Sequence, residues 1–287
     1  MRSFFLFLSV FLLMTSAALA DSAVELQILQ EFFSQEGMEN RSARLTGAAL
    51  EEFTRRPMVG VYLPENAKVT FRLLMESEIT ASYEATVDRD GLAEMWSAFF
   101  HRGVLGSKLE AIKSLKIPPY LAAVEYPRLR TQSVRSPLQE ARLTQLQRLF
   151  MPSDKFREHF NQNRITYEAL AHLVETGRME EAEAAAEVFA LVGVRLYPAS
   201  KSAAQMAPVV SPVSGKGQDQ SSQPGCEVRV SAFLDSVLGL LHLPPGVSPP
   251  LMSAHNYIFV EPLAENWYLF RNIAAEPLKE KSAAYEK

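Results

Sequence analysis

The single cysteine of this 287-residue chain, Cys226, is followed by His242 and then by His255 and Asn256. That is the order in which a cysteine hydrolase carries its nucleophile, its general base and the group that orients the base. Such chemistry needs a thiolate, which a helix N-terminus or a neighbouring cation favours. Cys226 instead opens a run of strand formers, Cys226 to Phe233, directly after a stretch poor in apolar residues. It is read first as a structural thiol, second as one half of an intermolecular disulfide, and last as a nucleophile.

Glu168, His172 and Glu175 fall on one side of a helix, a spacing from which three ligands can converge on a metal. Leu170, Leu173, Val174 and Gly177 mark the opposite, buried side, so the three polar groups are expected to face water. Thr86-Val87-Asp88-Arg89-Asp90-Gly91 echoes the start of a calcium loop, but Thr86 stands at the first ligand position and Ser97 at the twelfth. Asp88 or Asp90 is read instead as the cap of a helix beginning at Leu92. The chain has no G-x-S-x-G, H-E-x-x-H, glycine-rich phosphate loop or C-x-x-C. One cysteine also excludes an intrachain disulfide and every multi-cysteine zinc or iron–sulfur site. No catalytic, cofactor-binding or metal residue is assigned.

Charge is uneven around a formal net value of −4. The 101–148 stretch carries Arg102, Lys108, Lys113, Lys116, Arg128, Arg130, Arg135, Arg142 and Arg148, opposed only by Glu110, Glu125 and Glu140. It could attract an anionic surface. The preferred reading is an internal match with the acidic residues Glu180, Glu181, Glu183 and Glu187. A global excess of acid gives no attraction to polyanions, and no nucleic-acid partner is expected.

The N-terminus has the three parts of a secretory signal peptide. Met1 and Arg2 form a basic tip, an apolar run extends from Phe4 to Met14, and Ala18-Leu19-Ala20 precedes the polar Asp21. Residues 1–20 are expected to be removed, with an uncleaved anchor as the alternative. No later stretch is apolar enough to span a bilayer, so no integral span is expected after cleavage. Export with so little cysteine points to a periplasmic or secreted bacterial protein.

Helices are expected first in the remaining chain. Ser22 and Glu25 have capping-box spacing, and Ile28, Leu29, Phe32 and Phe33 form an apolar face that stops near Gly37. Thr46 is placed as the cap of a second helix carrying Leu50 and Phe53. Strands are expected at Met58–Leu63, Lys68–Leu74 and Ile79–Val87, the last two from strict alternation. Leu92, Met95, Trp96, Phe99 and Phe100 recur at helical spacing and predict a helix covering that sheet. Ser107 and Glu110 predict another short helix, and Tyr120–Tyr126 a strand. From Ser136 to about Val194 the pattern is helical, with Leu138, Leu143, Leu146, Leu149 and Phe150 buried. Residues 198–225 are rich in Pro, Ser, Gly, Ala and Gln, the composition of a flexible linker. Cys226–Phe233, Tyr257–Val260 and Trp267–Phe270 are expected strands, the last two a hairpin.

Within the helical part, ITYEALAHLVETGRMEEAEAAAEVFALVG (from Ile165) resembles one helical hairpin of the tetratricopeptide or pentatricopeptide type, with Gly177 at the turn and Ala182 at the helix contact. The resemblance covers about a tenth of the chain and would imply peptide or RNA binding. No second copy accompanies it, so a plain antiparallel helix pair is the reading adopted.

The expected fold class is α+β, an antiparallel sheet packed by helices, followed by a helical-hairpin segment, a flexible linker and C-terminal strands. Its parts are a signal peptide at 1–20, an α+β domain at 21–135, a helical segment at 136–197, the linker at 198–225, strands at 226–275 docked on the N-terminal sheet, and a tail at 276–287. The expected role is non-catalytic contact with a protein partner, in envelope assembly. The alternative is an envelope hydrolase whose site is assembled from dispersed residues.

Overall fold

The computed structural model describes residues 21–89, 92–115, 117–118, 120–197, 224–233, 236–255 and 257–273. The expected signal peptide, nearly all of the expected linker and the tail lie outside these residues. The chain has an α+β arrangement and divides into two compact units, the second beginning at Leu115.

In the first unit, helix α1 (21–32) buries Ile28, Leu29 and Phe32. Short helices α2 (Arg41–Arg44) and α3 (Gly47–Phe53) follow. Met58–Leu63 is not a strand; Val59–Tyr62 forms a 3₁₀ turn. Gly60 explains this, because a Cβ there would lie 2.2 Å from the backbone of Phe33 and Ser34. Only glycine allows the chain to cross the end of α1 so closely.

The sheet is a meander of β1 (Lys68–Glu76), β2 (Thr80–Arg89), β3 (Leu92–Gly103) and β4 (Gly106–Ser114), antiparallel throughout. The alternation holds in β2 from Ala81 to Val87, with Ala81, Tyr83, Ala85 and Val87 in the core beneath α1; in β1 it holds at Val69 and Phe71 and breaks at the exposed Leu73, next to a shift of register. The two helices expected at Leu92 and Ser107 are corrected to strands β3 and β4. In β3, Trp96, Ala98 and Phe100 share the core-facing side, opposite Ala85, Tyr83 and Ala81 of β2. Phe33 packs edge-on against Trp96 with ring centres 6.2 Å apart, and Phe32 against Phe53 at 4.8 Å.

The second unit begins with helix rather than the strand expected at Tyr120–Tyr126. A π-helical turn, Leu121–Glu125, runs directly into α4 (Tyr126–Thr131). Helix α5 (Pro137–Leu149) starts from a complete capping box of Ser136 and Gln139. It buries Leu143, Leu146 and Leu149 but leaves Leu138 exposed. Then come α6 (Ser153–Gln162), α7 (Arg164–Glu175) and α8 (Met179–Val188). Gly177, at φ 78°, turns α7 into α8, and Ala182 is fully buried.

The second sheet has the order β5-β6-β7-β9-β8, with every neighbour antiparallel. It contains β5 (Gly193–Tyr197), β6 (Gly225–Phe233), β7 (Ser236–His242), β8 (Tyr257–Ala264) and β9 (Trp267–Ile273). The C-terminal strands therefore hydrogen-bond with β5 in a sheet of their own rather than joining the first. Val194, expected at the end of a helix, lies in β5. Tyr197 and Gly225 are register partners, so the chain leaves and re-enters the sheet at one place. β8 and β9 form the expected hairpin, turned at Asn266 with φ 63°.

One face of this sheet receives the aromatic residues of α6 and α7. Phe160 stacks on Tyr167 at 5.7 Å and meets Trp267 at 5.4 Å. The other face groups Tyr197, Val237, Leu241, Leu243, Tyr257 and Phe270. Gly239 lies under Phe270, and a Cβ at that position would come within 2.7 Å of the ring.

Candidate functional site

The most concentrated polar site in the first unit is buried between α1 and the sheet. Glu25 is three, four and seven residues before Ile28, Leu29 and Phe32, so it occupies the core-facing side of α1. Its carboxylate is fully buried. Oε1 accepts from Arg102 Nε at 2.7 Å and Ser107 Oγ at 2.9 Å; Oε2 accepts from Arg102 Nη2 and the Tyr83 hydroxyl, both at 2.9 Å. Arg102 also reaches Glu76 at 2.8 Å and donates to the Ser77 carbonyl at 3.0 Å. Burial, reinforced by the Glu25 carboxylate, pushes the Tyr83 hydroxyl up to about 12. The hydrogen bond to Glu25 holds Arg102 above its ordinary range. Each oxygen of Glu25 already accepts two hydrogen bonds, the arrangement of a structural latch rather than of a group held ready to exchange a proton.

In the second unit, Cys226 and His242 are direct partners across β6 and β7, and His242 pairs in turn with Trp267. Side chains directly opposite share a face. His242 Nδ1 lies 2.6 Å from Glu175 Oε1, at the end of α7, and its ring sits 4.7 Å from the Trp267 ring. Cys226, His242 and Glu175 thus form one group. The thiol is fully buried, and burial, with the Glu175 and Glu227 carboxylates adding to it, raises it to about 12. A thiol so placed stays protonated near neutrality and lacks the nucleophile's essential state.

The Glu168, His172 and Glu175 spacing, to which no metal is assigned, does not converge. Glu168 pairs with Arg164 at 2.7 Å, His172 is exposed, and only Glu175 turns towards the sheet. Among the described residues no cluster of three or more His, Cys, Asp or Glu could hold a metal ion. Asp88 lies in β2 opposite Lys68 and Ala93, with a strand rather than a helix after it; Asp90 and Gly91 lie outside the described residues. His255 is exposed in the β7–β8 connection, and Asn256 lies outside the described residues.

Four of the nine cations of the basic stretch pair with acids among the described residues. Besides the Arg102 latch, Lys113 reaches Glu52 at 3.6 Å, Arg135 reaches Glu140 at 2.5 Å and Arg142 reaches Glu125 at 2.8 Å. None of these partners belongs to the acidic helix α8, the match expected from sequence. Arg148 is buried and donates to the carbonyls of Phe189 and Ala190, closing the end of α8. Burial lowers Arg148 from its ordinary value, and His159 is lowered by burial and by Arg148. Arg128 and Arg130 remain exposed on α4, and Lys116 lies outside the described residues.

Unsought by sequence were Glu25, Tyr83, Arg102 and Ser107 as one cluster, and Glu175 with His242. Glu25 carried a readable signal, a carboxylate at a core position of an amphipathic stripe. The Glu175–His242 pair had none, since the two residues meet only through the second sheet.

The fold defines an α+β protein of two antiparallel-sheet units, each with its own core. The α7–α8 hairpin that resembles a repeat unit packs against β5 and β6 instead of a second hairpin. Comparison with family models, curated proteins and solved structures gave no match to this chain. No helix among the described residues is long and apolar enough to cross a membrane.

Proposed function

We propose that this is an exported protein, periplasmic or secreted, that acts by non-catalytic contact with a protein partner during envelope assembly. The observation that supports it is an edge strand of the second sheet with exposed apolar residues leading into it. β5 is an edge strand, and Val188, Phe189, Val192 and Leu196 lead from α8 into it with their side chains exposed. Edge strands that remain unguarded readily accept another strand, and exposed apolar residues beside the edge supply its side-chain contacts. The saturated Glu25 cluster and the buried thiol favour a binding role over a catalytic one.

The reading is tested by photo-crosslinking in the native envelope. A benzophenone side chain is placed at Val192 or Leu196, and at the exposed Ile165 of α7 as reference. A discrete adduct from the β5 positions and none from Ile165 is expected. Failure to obtain adducts at either β5 position would refute the proposed contact.

A hydrolase is the second reading because His242 is the strand partner of Cys226 and contacts Glu175, which brings a thiol-bearing residue, an imidazole and a carboxylate together. It requires rapid alkylation of Cys226 in the folded protein at pH 7, and a thiol that alkylates only on unfolding removes it.

A further inference from the structure

Arg148 sits in the last turn of α5 with only 9% of its surface exposed. A guanidinium stays ionised at neutral pH, so burying it calls for a counter-charge. Among the described residues no carboxylate pairs with it, and the one acid acting on it is the Tyr167 phenol, uncharged near neutrality. Nη1 donates to the carbonyls of Phe189 at 2.9 Å and Ala190 at 3.1 Å, at the end of α8. A helix C-terminus carries the equivalent of about half an elementary negative charge, so these contacts offset only part of the cation. Nε is buried without a hydrogen-bond partner, and among the described residues Nη2 has none either. Nε and Nη2 form one edge of the guanidinium, a pair of parallel N–H donors that remains once Nη1 is engaged.

His159 and Tyr167 belong to the same group. Arg148 acts on both, adding to the burial that lowers His159 and opposing the burial that raises Tyr167. Asn163 Nδ2 donates to the His159 carbonyl at 2.8 Å, which fixes the orientation of the amide, and it faces His159 Nδ1 at 3.3 Å. Nδ1 is therefore the acceptor, and the neutral ring carries its proton on Nε2, 3.2 Å from the Tyr167 oxygen. With that oxygen accepting from His159, the hydroxyl proton of Tyr167 is left to donate to a further acceptor. The group thus offers three donors and no acid to receive them.

From this arrangement we infer that the Nε–Nη2 edge of Arg148, together with the Tyr167 hydroxyl, binds a small carboxylate anion. Two parallel N–H donors match the two oxygens of a carboxylate. The near-complete burial of the arginine restricts the ligand to about the size of formate or acetate. The site is separate from the Cys226 group and independent of any partner at β5.

The test follows binding of carbon-13 formate to the full chain by NMR as sodium formate replaces sodium chloride at constant ionic strength. One saturable formate per chain is expected. The His159 ring, assigned with His159→Gln, should titrate at higher pH once the bound anion offsets Arg148. Both of these readouts use the wild-type chain and need no altered site. Arg148→Lys keeps the charge without the paired edge and should weaken binding about tenfold. Tyr167→Phe, which removes one donor of three, should weaken it less. No saturable formate in the wild-type chain, binding that leaves His159 unmoved, or equal affinity in Arg148→Lys overturns the inference.

Discussion

Replacing Glu25 with Ala tests whether the buried latch holds α1 to the first sheet. The substitution removes the acceptor of four hydrogen bonds, from Tyr83, Ser107 and two nitrogens of Arg102, and leaves the guanidinium with Glu76 and the Ser77 carbonyl. Removing one member of a buried ion pair costs about 3–5 kcal/mol, mostly because the other charge stays buried without its partner. With a urea dependence of about 2 kcal/mol per molar, the unfolding midpoint should fall by about 2 M. The chain has two tryptophans, Trp96 in the first unit and Trp267 in the second, so 5-fluorotryptophan labelling gives each unit its own ¹⁹F resonance. The Trp96 resonance should report the shift. Tyr83→Phe, which removes one donor and leaves three, should cost only about 1 kcal/mol. Replacing Glu25 and Arg102 together with Met should recover most of the loss, because an apolar pair leaves no stranded charge. A shift below about 0.5 M for Glu25→Ala, or a double variant as unstable as the single one, would refute the reasoning.

Other predictions concern the second unit and the chain crossing at α1. Because burial raises Cys226 from an ordinary value of 9.0 to about 12, its contribution to stability is complete below pH 9. It is lost as the pH rises towards 12, where the unfolded thiol ionises first. Ellman's reagent at pH 8 should accordingly label the thiol only on the timescale of unfolding. Gly239→Ala would drive a methyl group into Phe270 and should cost about 1–3 kcal/mol, read from the Trp267 resonance. Gly60→Ala, whose methyl would lie 2.2 Å from the backbone of Phe33 and Ser34 rather than 2.7 Å from the Phe270 ring and the Val228 carbonyl as in Gly239→Ala, should lower the Trp96 midpoint by more than Gly239→Ala lowers that of Trp267. Arg148→Met removes the donors to the Phe189 and Ala190 carbonyls; faster amide exchange at the end of α8, without global unfolding, is the expected result.

The fold class was legible because the alternation in β1 and β2 and the apolar stripes of α1 and α7 admit one period each. β3 was not, and its residues show why. Leu92, Met95, Trp96, Phe99 and Phe100 satisfy a helical repeat, while the strand's core side is carried by Trp96, Ala98 and Phe100. The small Ala98 is decisive in the packing but weak as a sequence signal. Ser107 likewise had the spacing of a helix cap, yet it lies in β4 and its hydroxyl donates to Glu25 of α1. The membership of the C-terminal strands was hidden because β5 and β6 are neighbours in space while distant in the chain. Of the candidate residues, Cys226 and His242 do meet, but the burial that decides the state of the thiol exists only once α7 covers the sheet.

The pairing of Tyr197 with Gly225 has a practical consequence. Whatever runs between them begins and ends at adjacent points of one sheet edge, so its length hardly enters the energetics. Each doubling of a closed loop adds only about 0.6 kcal/mol of closure entropy. This position should therefore tolerate an inserted epitope or a whole reporter domain whose own termini lie close together. The junction between β5 and β6 is a place where the protein can be lengthened while both strands keep their register.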